Sequence, residues 1–144
     1  MSNEVGSPIG AECEKAVREN FAHQKVMQLL GAELLAVSAG KCEIGLRRRD
    51  DLTQQHGYLH AGIVTTVLDS ACGYAAFSLM PTGSNVLSVE FKVNLLAPAN
   101  GELLTVSAVV KKAGRTLTVC TADAWIDGKL CATMLATMYC QNTS

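Results

Sequence analysis

One long apolar segment, from His56 to Met80, constrains the fold of this chain more than any other feature. Asp69 is the only acidic side chain in the segment. A helix that is apolar nearly all the way round belongs in a core, where an isolated carboxylate is costly unless a partner or a function uses it. We therefore predict a buried central helix from about Leu59 or His60 to Leu79, with Asp69 as a candidate functional group.

The segments on either side of this helix predict a sheet that covers it. Two helices and two strands are expected before it, at residues 11–21, 26–30, 32–39 and 42–48. Four strands are expected after it, at residues 87–95, 103–111, 116–126 and 130–139. The first of these four alternates apolar and polar residues, which predicts one buried face and one polar face. The pattern indicates an α+β domain in which an antiparallel sheet curls around the central helix.

The 144 residues fit a single domain, with residues 1–30 as an N-terminal helical segment and residues 31–144 as its main part. A net charge of -1 gives no reason to expect nucleic acid or an anionic membrane as a partner. The six cysteines occur singly, which favours reduced, packed thiols over a disulfide framework or a zinc site. The first residues lack the basic and apolar regions of a secretory signal, so we expect a cytoplasmic location.

The start of the central helix, at His60, Ala61 and Gly62, is suited to hold an oxyanion because its amide N–H groups lack partners within the helix. Asp69 comes nine residues after His60. At 1.5 Å per residue this is about 14 Å along the axis, too far for one reacting carbonyl to contact both ends. If both ends serve one site, Asp69 comes from another subunit. A two-fold homodimer with antiparallel central helices would form two such sites.

Three stretches of the sequence resemble a known family: Gln54–Gly62 followed by Asp69, then Ser88–Phe91, and then Leu96–Ala99. Together they are similar to the hotdog-fold acyl-CoA thioesterases of the phenylacetic-acid-degradation type, over about residues 30–139. The resemblance implies a hotdog fold, a sheet wrapped around one helix. It also implies hydrolysis of an acyl- or aryl-CoA thioester to free acid and coenzyme A, without metal or cofactor, by a homodimer or a dimer of dimers.

The resemblance further implies a role for each matching residue. Asp69 is the catalytic carboxylate, acting as general base on water or as nucleophile on the thioester carbonyl. Ala61, in place of a family glycine, supplies the backbone N–H that polarises this carbonyl, provided that the backbone there is helical. Gln54, in place of an asparagine, and the motif histidine His60 complete the catalytic set. Substrate-binding roles are expected for Gly62 and Ser88.

Other interpretations of these residues remain open at this point. Asp69 could be structural, hydrogen-bonded to Thr65 or Thr66. His56, His60 and Asp69 could be imagined as metal ligands, but the glycine and the helix start between the histidines disfavour a metal site. As a whole, the chain could instead bind acyl-CoA without hydrolysing it, as a carrier or sensor. A hotdog hydratase or dehydratase is disfavoured by the spacing of His60 and Asp69.

Overall fold

A computed structural model describes residues 4–142, and all the predicted helices and strands are present with bounds shifted by up to three residues. The helices are α1 (Ala11–His23), α2 (Lys25–Leu30) and α3 (Ala61–Phe77). The strands are β1 (Glu33–Ser38), β2 (Lys41–Arg47), β3 (Ser84–Leu95), β4 (Leu103–Ala113), β5 (Leu117–Ile126) and β6 (Lys129–Asn142). A short 3-10 helix, Asp50–Leu52, was not predicted.

The predicted central helix is α3, and its burial explains why the sheet forms around it. Val67, Leu68, Ala71 and Cys72 have no exposed surface. The helix contacts every strand of the sheet, whose inward residues complete one continuous core with it. Since an apolar helix and the apolar face of a sheet are both stable only when covered, each element provides the cover for the other. The predicted α+β architecture is confirmed.

The six strands form one antiparallel sheet in the order β1-β2-β4-β5-β6-β3. Strands β4, β5 and β6 form a meander, but β3 lies beyond β6 rather than beside its sequence neighbour β4. The chain therefore crosses the whole sheet through α3 between β2 and β3. As a result β3 is an edge strand, and its outer edge has no partner strand within residues 4–142.

The prediction that β3 buries one face is wrong for the single chain. Leu87, Val89, Phe91 and Leu95 are 50%, 57%, 43% and 56% exposed. One reason is the edge position, and the other is a bulge: the pairing with β6 shifts register between Ser88 and Glu90. The extra residue reverses the alternation of the strand. Before the bulge the even-numbered Ser88 lies on the face that covers α3, and after it the odd-numbered Phe91 does.

The two N-terminal helices pack against the second half of α3. Val17 and Phe21 are buried, and the Phe21 ring meets the Tyr74 ring edge-on with centroids 5.6 Å apart. Helix α1 ends before Gln24, whose extended backbone, with a ψ of 103°, separates it from α2. It leaves α2 through Gly31, in the left-handed conformation predicted for a glycine cap.

The division into residues 1–30 and 31–144 stays a prediction, and its outer ends, residues 1–3 and 143–144, lie outside the described residues. Within the part that the structure describes, no helix is long and apolar enough to cross a membrane. All six cysteines are free, and Cys42, Cys72, Cys120 and Cys131 are buried. In the same range, no three His, Cys, Asp or Glu side chains are grouped so that they could hold a metal ion.

Candidate active site

At the start of α3, the hydrogen bonds leave a single backbone donor free. His60 caps the helix: its Nδ1 accepts the Gly62 N–H at 2.8 Å. Its carbonyl oxygen accepts the N–H groups of Ile63 and Val64 at 2.9 and 3.2 Å. The Ala61 N–H has no partner among residues 4–142. The helix start therefore offers one unpaired N–H, that of Ala61, which is the residue to which the family resemblance assigns the donor.

The same hydrogen bonds determine the tautomer of His60 and the availability of the Gly62 N–H. Because the Nδ1 atom of neutral His60 accepts a bond, its proton lies on Nε2. Gly62 does not offer its N–H to a ligand, and a Cβ atom at this position would lie 3.0 Å from the His60 Nδ1 atom. Ala61 is the first residue of α3, so the condition for its N–H to point along the helix axis is met.

Gln54 lies in the loop that leads into α3, and its side chain holds this loop in shape. Its Oε1 atom accepts the backbone N–H groups of His56 and Tyr58, the latter at 3.3 Å. The Gln54 N–H in turn donates to the Tyr58 carbonyl oxygen at 2.9 Å. Only the NH₂ end of the Gln54 amide is left without a protein partner within the described range. The carbonyl end is committed to the loop.

A cavity of about 460 Å³ opens beside the helix start and is lined by both Gln54 and Ala61. Its remaining walls are mainly apolar and come from the entry loop, α3, the end of β3, the following turn and β6. They consist of Tyr58, Leu59, Val64, Leu95, Leu96, Ala97, Pro98, Ala99 and Cys131. The cavity thus combines an apolar surface with a few polar groups at one end, an arrangement typical of ligand sites.

Asp69 lies in a second pocket, further along α3. It follows Ala61 by eight residues, or about 12 Å along the helix axis. The half-buried Asp69 accepts a hydrogen bond on Oδ1 from the Ser88 hydroxyl at 2.6 Å. Its Oδ2 atom has no hydrogen-bond partner among the residues described. The bulge in β3 is what turns Ser88 towards α3, and Ser88 fixes one oxygen of the carboxylate while leaving the other free.

A purely structural role for Asp69 through the neighbouring threonines finds no support in these contacts. The hydroxyl of Thr65 donates to the Ala61 carbonyl oxygen at 2.8 Å, and that of Thr66 donates to the Gly62 carbonyl oxygen at 2.8 Å. Cys72, one turn beyond Asp69, is not an alternative nucleophile. Burial, followed by the neighbouring Cys120 and Asp69, raises the pKa of the Cys72 thiol, so the reactive thiolate does not form near neutral pH.

The residues that surround Asp69 were not among those predicted from the sequence. The pocket has a volume of about 270 Å³ and is lined by side chains from α1, α3, β3 and β6. Asn20 and Gln24, from the N-terminal helices, belong to this lining. A sequence signal for them exists: with Val17 and Phe21 they form one helical stripe at spacings of three, four and seven residues. Two amides placed between and after the buried Val17 and Phe21 indicate a polar environment on this side of the helix.

The structure therefore divides the predicted site residues into two groups. The group at the helix start contains Gln54, His60, Ala61 and Gly62. The other contains Asp69 and Ser88. The six residues do not form one site within a single chain, as the length of the helix predicts.

Comparison with known proteins gives matches along most of the chain. A family model described as the thioesterase superfamily matches residues 56–132. The chain is similar to a thioesterase family protein from Silicibacter pomeroyi, with 53% sequence identity and a TM-score of 0.88 over 90% of this chain and 98% of that one. It is 26% identical to a 1,4-dihydroxy-2-naphthoyl-CoA hydrolase from Listeria monocytogenes over 94 residues, covering 65% of this chain and 76% of that enzyme.

The PaaI protein from the phenylacetic acid degradation operon of E. coli has a similar fold. Its TM-score is 0.81 at 17% identity, over 88% of this chain and 91% of that one. At this identity the similarity concerns the fold alone. The hotdog fold expected from the sequence is confirmed.

Proposed function

Because this chain belongs to the thioesterase superfamily and is a thioester hydrolase, we propose that it hydrolyses acyl-CoA thioesters at a site shared by two copies of the chain. The observation that carries the proposal is the position of the two cavities at opposite ends of the edge strand β3. Leu95 lines the cavity at the helix start, whereas Val86 and Ser88 line the Asp69 pocket. One chain thus holds two half-sites, one near each end of β3.

Antiparallel pairing of two β3 strands across a two-fold axis joins these half-sites. Such pairing places the first half of one strand beside the second half of the other. The Asp69 pocket of one protomer then adjoins the helix-start cavity of the other. The same contact provides partners for the free backbone groups of the β3 edge and covers the exposed Val89 and Phe91 side chains. A homodimer is therefore the minimal active unit of the proposal, and a dimer of dimers remains a prediction.

In the shared site, the thioester carbonyl oxygen accepts a hydrogen bond from the Ala61 N–H of one protomer. The positive end of the α3 dipole stabilises the negative charge that develops on this oxygen during attack. Gln54, in the same cavity, offers its NH₂ group to the carbonyl oxygen or to the attacking water. His60 acts as a positioning residue, because its ring holds the Gly62 N–H and thereby the first turn of the helix.

Asp69 of the other protomer takes part in the reaction through its free Oδ2 atom, by one of two routes. As a general base it takes a proton from the water that attacks the carbonyl. As a nucleophile it forms a mixed anhydride, which water then hydrolyses. In both routes the carbon–sulfur bond breaks, the coenzyme A thiolate leaves and takes up a proton, and the acyl group becomes a free acid. The Ser88 hydroxyl holds Oδ1 in either case.

The decisive experiment combines two inactive variants. Ala61→Pro removes the free N–H, and proline is well tolerated at the first position of a helix. The preceding His60 has a ψ of 138°, which suits a residue before proline. Asp69→Asn removes the carboxylate charge. The two proteins are unfolded, mixed in equal amounts and refolded together, and thiol release from a panel of acyl-CoAs is then measured.

We expect the mixture to recover about a quarter of the wild-type activity, because half of the dimers are mixed and each mixed dimer contains one intact site. Each variant refolded alone serves as the control and stays inactive. A mixture that remains inactive, although an affinity tag on one variant co-purifies the other and so demonstrates mixed dimers, would contradict the shared site. Acyl-CoA binding by the wild type without any thiol release would instead favour the non-hydrolysing acyl-CoA carrier or sensor.

A further inference from the structure

The pocket next to Asp69 is unusually rich in primary amides. Asn20, Gln24, Asn85 and Gln141 all line it. Among residues 4–142, Asp69 is the only charged side chain of the lining, which contains no Lys, Arg or His. The proposed reaction uses Asp69 and Ser88 but assigns no role to these amides, two of which come from the N-terminal helices.

Two hydroxyl groups of α3 fix the orientation of the N-terminal amides. The Tyr74 hydroxyl donates to the Asn20 Oδ1 atom at 3.0 Å, and the Ser70 hydroxyl donates to the Gln24 Oε1 atom at 3.0 Å. Burial raises the pKa of Tyr74 to about 12, so the phenol keeps its proton and donates. With each amide oxygen bound to a hydroxyl, the NH₂ groups remain, and within residues 4–142 neither donates a hydrogen bond to the protein.

The backbone makes this arrangement rigid. Phe21, one residue after Asn20, is buried against the Tyr74 ring, which couples α1 to the helix that carries Asp69. Gln24 occupies the break between α1 and α2, where the extended backbone ends one helix and begins the next. The two NH₂ donors are therefore held against α3 on the same side as Asp69.

We propose that Asn20 and Gln24 determine acyl-group specificity by binding a neutral hydrogen-bond acceptor on the acyl group, such as a hydroxyl or keto oxygen. This inference rests on the proposed function, because it places the acyl group in the Asp69 pocket. A plain alkyl group there would displace water from both NH₂ groups without replacing its hydrogen bonds. A carboxylate on the acyl group would face the Asp69 charge with no cation in the pocket lining to compensate.

The size of the pocket adds to this specificity. Its volume of about 270 Å³ is slightly below the range of about 300–1,000 Å³ that is typical for drug-sized ligands. It therefore suits a compact acyl group, while the remainder of the acyl-CoA lies outside it.

The test compares acyl-CoAs that differ by one oxygen: 4-hydroxybenzoyl-CoA with benzoyl-CoA, and 3-hydroxybutanoyl-CoA with butanoyl-CoA. The variants are Asn20→Leu and Gln24→Met, singly and combined, which keep the approximate side-chain size but remove the NH₂ groups. Tyr74→Phe is a milder variant that removes only the hydroxyl orienting Asn20. The matched control is Gln28→Met, which also removes an amide from the N-terminal helices; Gln28 bonds to the Ala22 carbonyl oxygen and does not line the pocket.

We expect the wild type to prefer the oxygenated member of at least one pair by about tenfold or more in kcat/KM, given one or two neutral hydrogen bonds. In the double variant this ratio falls to within about twofold, because the apolar replacements neither bind the extra oxygen nor penalise the plain partner. Tyr74→Phe lowers the ratio partially, and Gln28→Met leaves it unchanged.

Binding is measured in parallel on Asp69→Asn by calorimetry, so that recognition is read out separately from chemistry. If the wild type releases no thiol from any of these compounds, the proposed function fails, and the binding preference alone decides this inference. A wild type that treats both members of each pair alike would overturn it. So would a preference that survives unchanged in the double variant.

Discussion

The two cavities along α3 differ in where their polar groups come from. At the helix start, the polar donor toward the substrate is a backbone N–H, surrounded by mainly apolar walls. At the Asp69 pocket, the polar groups are side chains from α1, α3, β3 and β6. A backbone donor depends on the helix and tolerates Ala61 in place of a glycine. A side-chain pocket depends on the packing of several elements, and its lining changes whenever one residue changes.

In the proposal, the groups that carry out the chemical step are therefore different from the groups that select the substrate. In the proposed mechanism, the helix start and the Asp69–Ser88 pair supply groups that any thioester needs, a donor for the oxyanion and a carboxylate. The amides that surround Asp69 are proposed to contact only the acyl group, and thus to select substrates without taking part in bond breaking. Substitutions of the amides should therefore change the preference among acyl groups, whereas substitutions that remove the Ala61 N–H, the Asp69 carboxylate or the Ser88 hydroxyl should lower kcat.

The largest expected effect is that of Asp69→Asn. Removing a general base or nucleophile should lower kcat by about 10² to 10⁴-fold with an unchanged fold, measured by thiol release and circular dichroism. The matched control is Asp123→Asn, because Asp123 also accepts a hydroxyl bond, from Thr133 at 2.7 Å, but lies outside both cavities. Turnover like that of the wild type in folded Asp69→Asn would contradict the catalytic role.

Ala61→Pro comes next and tests the backbone half of the comparison. Loss of one oxyanion donor should lower kcat by about 10² to 10³-fold, while the melting temperature is maintained. Ala61→Ser keeps the N–H and should stay within about threefold of the wild type, which makes it the control. If the serine and proline variants lose activity equally, activity depends on the Ala61 side chain and not on its N–H. The helix start would then not act through a backbone donor, and the difference drawn between the two cavities would be wrong.

Ser88→Ala should have the smallest effect of the three. It removes the hydroxyl bond that orients Asp69, and a hydrogen bond to a charged group is worth about 1.5–3 kcal/mol, so kcat should fall by about 10- to 100-fold. Ser88→Thr keeps a hydroxyl and should restore most of the activity. A loss as large as that of Asp69→Asn would instead indicate that Ser88 takes part directly in the reaction.

Much of this arrangement could be predicted from residue patterns alone. The apolar run around Asp69 predicts α3, and residues 84–142 carry the alternation that predicts the later strands. The motif from Gln54 to Gly62 predicts which residues surround the helix start. Even the division into half-sites follows from sequence, because the number of residues between His60 and Asp69 fixes their separation along the helix.

The lining of the Asp69 pocket could not be predicted in the same way. The bulge after Ser88 depends on how β3 pairs with β6, some 50 residues later in the chain. The direction of Asn20 and Gln24 depends on how α1 packs against α3. Alternation by itself predicts a buried face for β3, because it contains no information about the strand being at an edge.

The sequence by itself determined the central helix, the sheet that covers it and the separation of its two functional ends, because these depend on local periodicity and on the fixed rise of a helix. Only the tertiary structure decided which side chains surround Asp69 and which strand edge stays free. Those features arise from contacts between segments far apart in the chain, whose register and packing are set by the whole fold rather than by any local pattern.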